Sequence, residues 1–110
     1  MNNSIGMSDF YHLTKEKNLR IIDVRETYEY QMGHVPYAKN LPLSSLGNQA
    51  SELDKDKEYY LICQSGARSD NACSFLSNQG YKVINVLGGT AAWPGDCLLY
   101  TSDAADDRIS

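Results

Sequence analysis

No stretch of this chain approaches the roughly 20 consecutive apolar residues that a membrane-spanning helix needs, so a bilayer is not an expected partner. Positive charge is scarce and scattered. Ten lysines and arginines face fourteen acids, for a net charge of −4 and a pI near 5.0. Nucleic acid and anionic surfaces call for a concentrated basic patch, so neither is expected as the main partner. Cysteine is sparse too: Cys63, Cys73 and Cys97 are odd in number, widely spaced and form no CxxC pair. That excludes a disulfide framework and a zinc knuckle, and no metal or other cofactor is expected. Residues 1–7 lack the basic start and apolar core of a signal peptide. With unpaired thiols, the expected compartment is the cytoplasm, where thiols stay reduced.

What is present fits one globular domain. A chain of 110 residues has room for a single core. Residues 8–17 predict a short helix capped by Ser8, with Phe10, Tyr11 and Leu13 on its apolar face. The run 19–24 is rich in β-branched residues and predicts a buried strand. Residues 26–32 predict a helix closed by Gly33. Pro36 and Pro42 keep the following connection out of helix, and 44–53 predicts a second helix weakened by Gly47. The mixed charges of 54–58 mark a solvated turn.

Residues 59–63 form a continuous apolar run, the pattern of a strand covered on both faces. A helix is expected from Ser69 to about Gln79, with Ala72, Cys73 and Leu76 inward, and a strand over 82–87 halted by Gly88 and Gly89. Strands alternating with helices predict a parallel α/β sheet. The domain is expected to occupy 1–96. The segment 97–110, which lacks amphipathic period and follows Pro94 and Gly95, is read as extraneous or disordered. Cys97 falls in it and is given no role.

The chemistry concentrates at Cys63, Gln64, Ser65, Gly66, Ala67, Arg68 and Ser69. Lying between a buried strand and a helix, they occupy the place where α/β proteins bind ligands. Gly66 lets the backbone curl so that successive N–H groups point inward as an anion-binding nest. Ser69 is expected to cap the helix, whose N-terminal dipole faces the pocket. Both effects favour the Cys63 thiolate. Arg68 supplies a permanent cation able to hold an oxyanion. Asp70 suits the helix dipole and, if it faces the mouth, would oppose a strongly anionic donor. Arg25 and Glu29 are expected to pair at i, i+4 and, with Asp23, to support the site. His34 is read as fixing its loop, His12 as a surface residue, Trp93 as a core plug and Cys73 as core.

In order along the chain, Asp23-Val24-Arg25, the Gly33-to-Pro36 turn, Ala38/Asn40/Pro42, the Cys63-to-Ser69 loop and Gly88-Gly89 before Trp93 resemble the rhodanese family. The resemblance covers roughly residues 8–96. It implies a parallel sheet of about four to five strands with helices on both faces. It also implies transfer of sulfane sulfur from a small donor anion such as thiosulfate to cyanide or a thiol, including a protein thiol. In that reading Cys63 carries the persulfide, Arg68 binds the anion and the amides of 64–69 form the cradle. Related phosphatases and arsenate reductases have one residue more between cysteine and arginine than the C-x₄-R found here. The alternatives are such a phosphatase or reductase, and a non-enzymatic sulfur carrier, sensor or binding module.

Overall fold

The structure, a computed structural model, describes residues 2–98. Five strands form one sheet: β1 (Ser4–Ile5), β2 (Ile21–Asp23), β3 (Lys39–Asn40), β4 (Glu58–Ile62) and β5 (Lys82–Val86). Their order is β1-β5-β4-β2-β3. Every pairing is parallel, with Asp23 opposite Ile62 and Leu61 opposite Asn85. The helices are α1 (Met7–Glu16), α2 (Thr27–Gln31), α3 (Leu46–Gln49), α4 (Ala67–Ser77) and α5 (Gly89–Ala92).

Alternation along β4 explains the layers. Tyr59, Leu61 and Cys63 face a cluster that includes Leu46 of α3, Ala50 just after it, and Ala72, Cys73 and Leu76 of α4. Tyr60 and Ile62 face the opposite cluster, built with Phe10 of α1, Val35 and Val86, against which Trp93 packs. Both faces of the sheet are therefore covered, as the apolar run 59–63 implied. Leu61 and Ile62 are completely buried, and each such side chain contributes about 1.5–3 kcal/mol on leaving water. This burial locks the central strand, and with it the position of the residue that follows.

Several boundaries differ from the sequence reading. Gly6, not Ser8, occupies the N-cap of α1, and Ser8 lies within the first turn. The helix expected over 44–53 breaks into a 3₁₀ turn at Leu43–Ser45, the four residues of α3, and a second 3₁₀ turn at Ala50–Glu52. Gly47 lowers helix propensity there, and burial of Leu46 and Ala50 sets the path instead. The two-residue β1 has no counterpart among the expected strands; it pairs with β5 through Ser4 and Ile5, too short a run to show a period. Of the segment 97–110, residues 99–110 lie outside the described residues. Leu98 exchanges two backbone hydrogen bonds with His34, at 2.9 and 2.8 Å.

Candidate active site

Cys63 directly follows β4, at the carboxyl end of the central strand. The chain then turns through Gln64, Ser65 and Gly66, and α4 starts at Ala67. Gly66 makes the turn with φ +110°, a conformation open to glycine but strained for other residues. Its N–H donates to Cys63 Sγ at 3.0 Å. The helix thus begins two residues earlier than expected, with Gly66 at the N-cap in place of Ser69. Ser69 lies in the first turn, fully buried, with Oγ 3.4 Å from Cys63 Sγ. Gln64, Ser65 and Ala67 are exposed around the loop.

Burial pushes the Cys63 thiol pKa up. The Ser69 hydroxyl and the N–H groups of Ser69, Gly66 and Ser65 outweigh it, and the net displacement is downward. These donors stabilise the thiolate specifically, because a charged acceptor strengthens each bond. Cys63 is only 1% exposed, so an incoming group reaches sulfur with little more than its outermost atom. Ser69→Ala is expected to move the acidic limb of any Cys63-dependent activity to higher pH. Below the thiol pKa the rate falls with the thiolate fraction, by roughly three- to tenfold for one lost charge-assisted bond, and recovers in alkali. Alkylation of Cys63 by iodoacetamide across pH measures this; an unmoved limb would remove the hydroxyl from the account.

Two further elements hold the loop, and neither is among the site residues expected from the sequence. Asn85, a buried polar residue on β5, accepts the Ser69 hydroxyl at Oδ1 and donates Nδ2 to the Gly66 carbonyl at 3.3 Å. The Ser69 proton can therefore turn toward Asn85 when Cys63 is a thiol and toward sulfur when it is a thiolate. Its one signal in the sequence is an asparagine inside an otherwise apolar strand. At the start of α5, Thr90 N–H and Oγ1 donate to the Cys63 carbonyl at 2.7 and 3.0 Å, and Ala91 N–H donates to the Gln64 carbonyl at 3.0 Å. With those carbonyls tied outward, the following amides are free to face the sulfur. Gly88 and Gly89 thus do more than halt a strand.

The charged residues pair differently from the expectation. Arg25 does not reach Glu29. Its backbone N–H and Nε both donate to Asp23 Oδ1 at 3.0 Å, and Nη2 meets Oδ2 at 2.8 Å. Arg25 lies at a bend before α2, which starts at Thr27, so helical i, i+4 spacing does not apply to it. The rest of its fork donates to the Gly33 carbonyl at 2.7 Å and to Gln64 Oε1 at 3.3 Å. Glu29 instead receives Arg68 in a two-pronged pair, Nη1 to Oε1 at 2.7 Å and Nη2 to Oε2 at 2.8 Å. That bond holds the Glu29 carboxyl down at about 2. His34 stacks on the Tyr30 ring at 3.7 Å, with Nδ1 at 2.9 Å from the Tyr30 carbonyl oxygen, away from any role at sulfur.

The arrangement is a buried, amide-cradled thiol at a strand end, in a chain that is similar to known proteins over most of its length. A sequence model of the rhodanese-like domain matches residues 7–96. YtwF of Bacillus subtilis is 44% identical over 81 residues, covering 74% of this chain and 79% of that protein. A sulfurtransferase of Allochromatium vinosum is 38% identical, covering 74% of this chain and 77% of its own length. The crystal structure of a rhodanese-like domain protein from Staphylococcus aureus superposes with a TM-score of 0.82 at 31% identity, over 90% of this chain and 99% of that one. On sequence and on fold alike, the chain belongs to the rhodanese-like domain family.

Proposed function

We propose that this protein is a sulfurtransferase that moves sulfane sulfur through a persulfide on Cys63. The observation that carries the reading is the cluster of donors on one sulfur: Gly66 N–H at 3.0 Å and Ser69 Oγ at 3.4 Å, with the amides of Ser65 and Ser69 acting in the same sense. The Cys63 thiolate attacks the terminal sulfur of a donor such as thiosulfate. A Cys63 Sγ–S bond forms as the donor's own bond to that sulfur breaks, and the electron pair leaves on the departing group, sulfite in the case of thiosulfate. The outer sulfur then sits where loop amides reach it. In the second step a thiolate or cyanide attacks the outer sulfur, and the pair returns to Cys63 as thiolate.

No general base is required, since the environment already favours the ionised thiol. The six-residue span from Cys63 to Arg68 supports a cradle sized for one sulfur atom over one that surrounds a tetrahedral oxyanion. Catalysis through a reduced thiol fits a cytoplasmic setting. Among the described residues, no helix is long and apolar enough to cross a membrane. The test is intact-mass and peptide mass spectrometry after exposure to thiosulfate or an organic persulfide. The Cys63 peptide is expected to gain one sulfur atom and lose it again on addition of cyanide. A Cys63 that stays unmodified with every donor sinks the reading.

A further inference from the structure

Both guanidinium groups near the loop are already matched by carboxylates. Arg68 places both terminal nitrogens on Glu29. Glu29 is itself anchored, because Oε1 also accepts the Glu26 N–H at 3.0 Å as part of the capping of α2. The acceptor is thus pre-positioned by its own helix, and an arriving anion competes with an intramolecular carboxylate for the same fork. Arg25 is equally engaged, with Asp23, Gly33 and Gln64. Asp70, in the first turn of α4, adds negative charge on the same helix end.

Sulfur transfer from thiosulfate brings a thiolate against a dianion, so three negative charges meet in a site whose cations are neutralised. A persulfide donor avoids this. Cys63–S⁻ and R–S–SH give Cys63–S–SH and R–S⁻: one S–S bond forms, one breaks, and the electron pair departs on the thiolate R–S⁻. We propose that Glu29, by occupying Arg68, is a specificity-determining residue that turns this site toward organic persulfides and away from the thiosulfate dianion. The inference rests on the sulfur-transfer reading of Cys63.

The experiment compares kcat/KM for thiosulfate, glutathione persulfide and a persulfidated carrier protein, in the unaltered protein and in Glu29→Gln. The glutamine keeps an oxygen for the Glu26 N–H but releases Arg68 from its ion pair. The unaltered protein is expected to favour at least one persulfide over thiosulfate, and whichever is better identifies the carrier. In Glu29→Gln the thiosulfate-to-persulfide ratio is expected to rise roughly tenfold, the worth of one freed charge-assisted contact. Glu29→Asp, which retains the charge, is expected to leave the ratio low. Should Glu29→Gln fold poorly in a melting experiment, the donor ratio of the unaltered protein still decides. Thiosulfate used as well as or better than both persulfides overturns the proposal, as does a folded Glu29→Gln with an unchanged ratio. Absence of Cys63 loading from all three donors instead strikes the sulfur-transfer reading beneath it.

Discussion

Cys63→Ser is expected to lose sulfur loading and turnover completely, at least about 10³-fold in kcat/KM, the scale on which removal of a covalent nucleophile registers. The hydroxyl cannot form the S–S bond, and its proton is held far more tightly than a thiol's. Structure is expected to survive. The residue is 1% exposed, serine is smaller by a fraction of an atom's volume, and its oxygen accepts the Gly66 N–H that now meets Sγ at 3.0 Å. Melting temperature and mass spectrometry, read together, separate lost chemistry from lost fold. The neighbouring thiol offers no bypass: Cys73 is fully buried, and burial followed by the charge of Asp70 pushes it up to about 12. Sulfur accumulating on another cysteine of the variant, with turnover retained, would remove Cys63 from its assigned role.

The cysteine is legible in the sequence because its signals are local. An apolar strand run, a glycine two residues before an arginine, and a following amphipathic helix sit within a few residues of one another. Local signals also define the parallel sheet, since the alternation of strand and helix is read one element at a time. What escapes the sequence involves partners distant in the chain. Arg68 meets Glu29 across 39 positions, and nothing in helical periodicity distinguishes that pair from the nearer Arg25. Asn85 meets Ser69 across 16 positions, brought there only by the register of β5 beside β4. The start of α4 differs from its expected place for a related reason. Serine is a good N-cap in general, but here Gly66 takes the left-handed turn earlier and leaves the Ser69 side chain free to face sulfur.

Gly89→Ala is the second change expected to have a large effect, and it acts through the backbone of the loop. A Cβ at this position would lie 2.5 Å from the Cys63 carbonyl oxygen and 2.6 Å from the Gln64 carbonyl carbon and oxygen. None of these atoms belongs to a flexible side chain, so the loop or the start of α5 has to move. Movement weakens the bonds from Thr90 and Ala91 that tie those carbonyls outward, and it turns the amides away from sulfur. We expect about 2–4 kcal/mol of lost stability from the clash and the left-handed φ together. Turnover is expected to fall about 10²-fold, the usual consequence of misplacing a reactive group by about 1 Å. Gly80→Ala supplies the comparison. It shares the left-handed backbone, with φ +94°, but its Cβ would meet only the Lys55 side chain, at 3.8 Å and beyond. That variant is expected to lose about 1 kcal/mol and keep its turnover. Equal stability losses in the two variants, with turnover intact in both, would mean that the contact between α5 and the loop does not hold the amides in place.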